Sequence, residues 1–128
     1  MAMEIVCPWP DRRLSPNARV HWAQKSKAAK AYRELGFYAT KVAKAAVEWD
    51  GPIHAFITFY PPDRRNRDDD NLIASFKNCR DGIAEALGVD DKRFRCHPLV
   101  HADTVAGGRV VVRLCQDIRE IRGIDDEF

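Results

Sequence analysis

The chain has 128 residues, of which 45% are hydrophobic and 31% charged, and this balance predicts one folded domain around a single core. No segment approaches the roughly 18 consecutive apolar residues of a membrane helix, and no basic region followed by an apolar run opens the chain, so we expect a cytoplasmic protein without a membrane partner. The net charge of +2 hides a segregation, because residues 11–44 hold nine Lys or Arg against two acids while most acids lie further along. A basic arm beside an acidic cluster suits an enzyme that cuts phosphodiesters.

The first half of the chain predicts a strand, a loop, a helix and a second strand. Residues 3–7 read as a strand that Pro8-Trp9-Pro10 ends, because proline has no N–H for a ladder. A loop with interleaved arginines reaches about Lys25. Ser26 then caps a long amphipathic helix with apolar or small residues at 28, 32, 35, 39, 42, 46 and 49. Residues 53–60, rich in β-branched and aromatic side chains, predict the clearest strand.

The second half predicts one more helix and two more strands. Asp70 or Asn71 can cap a helix over residues 71–87, and Gly88 is placed to end it. Residues 93–102 and 109–115 read as strands joined by a Gly107-Gly108 hairpin turn. The order β-α-β-α-β-β predicts an α+β fold in which both helices pack on one mixed sheet. We expect the domain to span residues 1–120 and the acidic tail, residues 121–128, to be frayed. The buried stripe of the second helix is predicted at Leu72, Phe76, Cys79, Ile83 and Leu87.

The four cysteines are widely spaced and lie in apolar or strand-like surroundings, which favours buried free thiols over disulfides. Cys96, His97 and His101 could in principle ligate zinc. The segment reads as strand, however, and this disfavours a zinc site, since it would not give His97 and His101 a shared helix face.

The motif that carries chemistry is Asp68-Asp69-Asp70-Asn71, which has two interpretations. Acids at a helix start cap the backbone and favour the positive end of the helix dipole, and that structural role explains the cluster by itself. If the segment is extended instead, Asp68 and Asp70 share one side while Asp69 points elsewhere, and two convergent carboxylates suit magnesium. A third carboxylate, for which Asp91 is the candidate, would permit a second metal.

The chain resembles the RusA family of Holliday junction resolvases, whose core motif is Asp-x-Asp-Asn-Leu. The resemblance starts from Asp68-Asp69-Asp70-Asn71-Leu72 and Asp90-Asp91, and extends to Pro61-Pro62-Asp63-Arg64-Arg65 before them. Pro8-Trp9-Pro10 with Ser15 and Asn17 resembles the family's Pro-rich amino-terminal segment, and Gly107-Gly108-Arg109 its closing hairpin. About 110 residues are covered. The segment from Leu72 to Lys77 is longer here by about three residues, so Lys77 is matched through its distance to Asp81.

The resemblance implies a Mg²⁺-dependent endonuclease, with Mn²⁺ as a substitute metal, that cuts four-way junctions in DNA recombination and repair. It implies a homodimer, branched DNA as partner and no organic cofactor. Asp68, Asp70 and Asp91 would be the catalytic metal ligands and Lys77 a supporting base or phosphate contact, with Asp90 and Asp81 as neighbours. Lys77 could equally form a surface pair with Asp81. The side chains expected to hold the DNA backbone are Arg12, Arg13, Asn17, Arg19, Lys27, Lys30, Arg64, Arg65 and Arg67. Trp9, Trp22 and Tyr32 would suit stacking on bases, although Trp and Tyr belong more often to the core.

Two alternatives to the resolvase remain: a metal nuclease that prefers forks or flaps, and a non-catalytic protein that binds branched DNA. A geometric problem also remains, because an unbroken helix over residues 71–87 is roughly 25 Å long and would separate Asp70 from Asp91. Either the loop at 88–92 folds back, or the helix breaks near Gly82, or a second subunit supplies Asp91.

Overall fold

The structure, a computed structural model, describes residues 3–119, so the predicted frayed tail lies outside the described residues. Its four strands form one mixed sheet beside two helices that pack on each other, which confirms the α+β class. Within residues 3–119, neither helix has the length and apolar character needed to cross a membrane. In chain order the elements are β1 (Met3–Pro8), α1 (Trp22–Val42), β2 (Ile53–Tyr60), α2 (Asp69–Leu87), β3 (Phe94–Val100) and β4 (Arg109–Cys115), with 3₁₀ turns at Arg12–Leu14 and Asp91–Arg93.

The sheet order is β1-β4-β2-β3, and this contradicts the predicted hairpin between the last two strands. Strand β4 lies antiparallel between β1 and β2, whereas β3 pairs with β2 in parallel on its other side. Gly107 and Gly108 do form a tight turn, with φ of 76° and 70° and a hydrogen bond from the Gly108 N–H to the Val105 carbonyl. That glycine turn reverses the chain locally, but β2 separates the two strands that it was expected to pair.

The core lies between the helices and one face of the sheet. Alternate residues of β1, β2 and β4 point toward the helices, as the period of two in a strand requires. These buried strand residues include Ile5, Cys7, Ile53, Ala55, Ile57, Phe59, Val110, Val112 and Leu114. All four cysteines are free thiols, as predicted, and three of them are buried.

Helix α1 differs from its prediction in both its bounds and its buried face. It begins at Trp22, and its N-cap is His21, five residues before the predicted cap Ser26, because the His21 ring accepts a hydrogen bond from the Ala23 N–H. Its buried positions are 28, 32, 36 and 40, a step of four, while Leu35 and Val42 from the predicted stripe are 49% and 82% exposed. Residues 46 and 49 lie beyond the end of the helix.

Two glycines set the contact between the helices. A Cβ added to Gly36 would lie 2.2 Å from the Cys79 carbonyl oxygen, and one added to Gly82 would lie 1.9 Å from that of Arg33. The sheet fixes the direction of the helices. β1, β2 and β3 are parallel to one another and α1 and α2 each connect two of them, so both helices run back against the strands and their amino-terminal ends lie at the same end of the molecule.

Helix α2 confirms most of its prediction. Gly88 ends it in the left-handed conformation at φ 69°, and its stripe is buried from Leu72 to Ile83, with Leu87 partly buried. Its N-cap is Asp68, so the expectation that Asp70 or Asn71 caps the helix was wrong. The helix continues through Gly82 without a break, because that glycine serves the close approach to α1.

Candidate functional site

Asp68 and Asp70 lie at the amino terminus of α2. The Asp68 Oδ1 accepts hydrogen bonds from the backbone N–H groups of Asp70 at 2.9 Å and Asn71 at 3.4 Å. The segment is therefore a cap and first helical turn, as the capping interpretation predicts, and not the extended stretch of the alternative. Asp69 and Asp68 nevertheless diverge, since Asp69 lines a small cavity beside Phe59 and Asp68 lines a different cleft.

These carboxylates have the composition of a magnesium site with few protein ligands. Asp68 and Asp70 are exposed, and Mg²⁺ commonly takes one or two protein carboxylates while water and substrate phosphate complete its coordination. Within residues 3–119, no group of three or more Asp, Glu, His or Cys is placed to hold a metal. The donor set thus fits a metal that arrives with phosphate, and it does not form a three-carboxylate centre among the described residues of one chain.

Asp91 lies toward the opposite end of α2. The helix has 19 residues and is therefore about 28 Å long. Asp91 begins the 3₁₀ turn after it and shares an open cleft of about 400 Å³ with Asp81, Glu85 and Arg33. The loop thus folds back only to the level of Asp81, which follows Asp70 by eleven residues or roughly 16 Å of helix. Of the three ways to bring Asp91 beside Asp70, a break in the helix and a fold-back within the chain are both excluded.

Asp90 has a structural role in this turn. Its Oδ1 accepts the Lys92 N–H at 2.9 Å and so caps the turn that Asp91 opens. This hydrogen bond holds the pKa of the Asp90 carboxyl below its usual range. The bond fixes the backbone from which Asp91 projects.

Lys77 is paired on the surface of α2. Its Nζ lies 3.1 Å from the Asp81 Oδ2, one helical turn on, and its side chain is 61% exposed. An exposed pair of this spacing contributes little stability, so the ammonium group can exchange partners at small cost. The other oxygen of Asp81, Oδ1, is buried without a hydrogen-bond partner among the described residues.

An open cleft of about 580 Å³ joins two segments that are distant in the sequence. One wall comes from the Pro-rich segment and its 3₁₀ turn, and the other from the loop between β2 and α2. Asp68 lies where these walls meet the start of α2. The lining residues are Trp9, Pro10, Asp11, Arg12, Ser15, Pro62, Asp63, Arg65, Asn66, Arg67, Asp68, Asn71, Leu72 and Ser75.

A second basic cavity, of about 660 Å³, adjoins this cleft through shared residues. It contains four of the side chains that the sequence assigned to the DNA backbone: Arg12, Arg13, Asn17 and Arg19. Arg13 is held by both oxygens of Asp11, at 3.1 and 2.8 Å, and these bonds lower the pKa of the Asp11 carboxyl. Arg12 and Arg19 are exposed, and so are Lys27 and Lys30 on α1.

Arg67 organises the loop before α2. Its guanidinium donates to the Asp63 side chain at 2.8 Å and to the carbonyls of Asp63 and Arg65, each at 3.1 Å. It also lies over the Trp9 ring, 5.3 Å from the centroid, and so ties the two walls of the cleft together. Arg64 and Arg65 stay exposed in the same loop. Arg67 is therefore a positioning residue, while its neighbours are free to meet a ligand.

The aromatic side chains divide between core and surface. Tyr32 is only 3% exposed and its hydroxyl donates to the Pro8 carbonyl at 2.7 Å, so it belongs to the core and does not present its ring to bases. Trp9 is a wall of the cleft, packed edge-on against Phe59. Trp22 is 75% exposed at the start of α1.

The strand reading of the Cys96 segment is confirmed. Within β3, Cys96 packs toward the core, whereas His97 lies on the opposite face, 4.8 Å from the Phe56 ring and 3.0 Å from the His54 nitrogen. Neighbouring strand residues point to opposite faces, so Cys96 and His97 do not converge on one ion.

Asn71 and Ser75 line the cleft but were not singled out as site residues from the sequence. Their spacing from Asp68 held a signal, because residues at intervals of three, four and seven lie on one helix face. The Ser75 hydroxyl also donates to the Asn71 carbonyl at 2.7 Å, which fixes that face.

No protein-family model matches the sequence. The chain is 46% identical over 116 residues to a protein of Xylella fastidiosa that is described only as uncharacterized, and the match covers 86% of this chain and 74% of that protein. This degree of identity over so much of both chains shows common ancestry. The chain therefore belongs to the same protein family as the Xylella fastidiosa protein.

Proposed function

We propose that the protein is a Mg²⁺-dependent, structure-selective endonuclease that cuts four-way DNA junctions by phosphodiester hydrolysis, as the likeness to the RusA resolvases implies. The observation that carries the proposal is the shared cleft. Two segments quoted for that likeness, around Pro8 and Pro61, are far apart in the chain, yet both line one opening beside Asp68. If the aspartates only capped the helix, there would be no reason for these two distant segments to meet beside Asp68.

The cleft has the charges that a phosphodiester needs. Arg12 and Arg65 are exposed in the cleft and can neutralise phosphates on either side of the scissile bond, and Asp68 offers a carboxylate there. Asp70, in the first turn of α2, is exposed and offers a second carboxylate. A divalent metal held there would supply a Lewis acid that activates water and offsets charge on the phosphate. The protein's own part is to orient the strand: Arg67 fixes the loop, and exposed Lys27 and Lys30 extend the basic surface along α1.

The proposed enzyme acts as a homodimer that shares its sites. A four-way junction is a two-fold object cut on two strands, which suits a two-fold protein. Since Asp91 lies far from Asp70 within one chain, a second subunit would have to deliver it. Asp70→Asn and Asp91→Asn proteins, each inactive alone, should then recover partial nicking when mixed. A mixture that stays inactive, although added wild-type protein works, would exclude the shared site.

The decisive assay compares matched four-way, forked, flapped and linear DNA with Mg²⁺ or with EDTA. Asp70→Asn should reduce nicking by at least about 100-fold, because losing several kcal/mol of metal-assisted stabilisation corresponds to that factor. Binding should persist or tighten, since a negative charge near phosphate is removed. Asp69→Asn is the matched control, because Asp69 faces a different cavity, and it should cleave normally. Preferential cutting of forks or flaps would assign the alternative nuclease.

A non-catalytic binder of branched DNA is the second candidate. The capping bonds of Asp68 and the surface pair of Lys77 favour it, because each gives those residues a structural role. A binder would hold junctions equally in EDTA and would never nick them. Nicking that requires Mg²⁺ and is lost in Asp70→Asn would exclude it.

A further inference from the structure

Helix α1 carries a second apolar stripe on the side that faces away from the core. Its members are Ala31, Leu35, Tyr38 and Val42, separated by steps of four, three and four, which keeps them on one helix face. Leu35, Tyr38 and Val42 are 49%, 64% and 82% exposed. Large apolar side chains in a row on a surface helix indicate a contact with another molecule.

Charged residues run along one flank of this stripe. Lys27, Glu34 and Lys41 recur every seven residues, the spacing of flanking charges in paired helices, and all three are exposed. Glu34 has no ion pair among residues 3–119, and Lys41 lies only over the Phe37 ring, 5.4 Å from its centroid. The opposite flank includes Ala39 and Tyr32, which pack into the core.

We infer that two copies of the protein pair through this face of α1, with the helices antiparallel about a two-fold axis near residues 36 and 37. In that register Leu35 meets Tyr38 of the second copy, and Ala31 meets Val42. The same register brings Glu34 beside Lys41 of the second copy, twice by symmetry. An isologous contact requires a patch that complements itself, and this stripe does so in both shape and charge.

The parallel arrangement lacks this complementarity. In a parallel pair the flank with Glu34 and Lys41 would lie beside the opposite flank of the second copy, where Tyr32 and Ala39 pack into the core, so neither charge would meet an opposite charge. The antiparallel pair therefore has two attractive charge contacts, whereas the parallel pair has none. This difference identifies a second copy of the same chain, with one orientation, as the occupant of the stripe.

The inference deepens the proposed function by naming the surface of the expected homodimer. The test of the dimer surface measures molecular mass in the absence of DNA and metal. The dimer can therefore be refuted while the nuclease proposal stands, and the nuclease proposal can be refuted while the dimer stands. Sedimentation of the full chain over a concentration series should show a dimer. Tyr38→Glu should weaken association about thirtyfold or more, the factor expected for a central interface residue. Ser26→Glu, exposed on the opposite side of α1, is the control and should leave association unchanged.

A charge exchange tests the antiparallel register. Glu34→Lys and Lys41→Glu should each dissociate more readily than wild type, because each turns both cross-helix contacts into repulsions. When the two variants are mixed, opposite charges meet again at both contacts, and a heterodimer should form with near wild-type affinity. Thermal melting monitored by circular dichroism verifies that each variant is folded. A monomeric wild type, or dimers that neither Tyr38→Glu nor the charge variants weaken, would overturn the inference.

Discussion

Asp68 combines two roles that one pair of substitutions can separate. As N-cap of α2 it accepts two backbone N–H groups through Oδ1, and as a proposed ligand it provides a negative carboxylate. Asn at this position keeps an equivalent side-chain oxygen for the cap but carries no charge, because Asn and Asp cap helices about equally well. Asp68→Ala removes both the capping oxygen and the charge.

The expected stability effects follow from the cap. Its loss in Asp68→Ala should cost about 1 kcal/mol of unfolding free energy, which for a domain of this size lowers Tm by roughly 3–6 °C. Asp68→Asn should melt within about 2 °C of wild type, since the hydrogen bonds to Asp70 and Asn71 persist. Asp69→Asn is again a matched control, because Asp69 accepts neither of these bonds.

The activity effects should not follow the stability effects. If the carboxylate holds metal, both Asp68 variants lose Mg²⁺-dependent nicking by about 100-fold or more, whatever their Tm. The assay is junction nicking at a temperature well below both melting transitions, with the Mg²⁺ concentration varied. Near wild-type cleavage by a stably folded Asp68→Asn protein would refute the metal role and leave only the cap.

Two further substitutions test the packing and the titration of the fold. Gly82→Ala should lower the free energy of unfolding by roughly 1–3 kcal/mol, and with it the Tm of a thermal melt, because the added Cβ would lie 1.9 Å from the Arg33 carbonyl oxygen. An unchanged or higher Tm would contradict this contact between helices. Burial and the charge of His54 lower the pKa of His97 below its ordinary 6.5, so the native state resists protonation. The stability that depends on neutral His97 is fully present above pH 6.5, the pKa in the unfolded chain. It is lost as the pH falls from there through the lower pKa of the folded protein, so His97→Asn should flatten the dependence of Tm on pH below 6.5. An equal slope in both proteins would exclude His97 as its source.

The sequence was sufficient where one local pattern dominated. Residues 53–60 and 109–115 became strands with the predicted bounds, and Gly88 ended α2 because no other residue adopts its left-handed conformation so readily. Helix α1 was misassigned because it has two apolar stripes, and periodicity alone does not show which one packs. The buried choice depends on Gly36, whose missing side chain lets the helices approach.

Long-range placement had no comparable signal. The turn at Gly107 and Gly108 was recognisable, but the insertion of β4 between β1 and β2 is a property of the whole sheet. The placement of Asp70 and Asp91 toward opposite ends of α2 did follow from the sequence, since a rise of about 1.5 Å per residue needs no tertiary information. The meeting of the Pro-rich segment with the loop before α2 could not be derived in this way, because no pattern in either segment refers to the other.

The charge at the start of α2 explains why the proposed nuclease would need a cation there. A helix amino terminus carries roughly half a positive charge, and one carboxylate already compensates it. Asp68, Asp69 and Asp70 together exceed that demand, and none of them forms an ion pair within residues 3–119. The arginine nearest to them in sequence, Arg67, is committed to Asp63. The excess negative charge would repel a DNA phosphate unless a divalent cation lies between them, so junction binding in the proposed nuclease should strengthen with Mg²⁺ and lose that dependence when the carboxylates are neutralised.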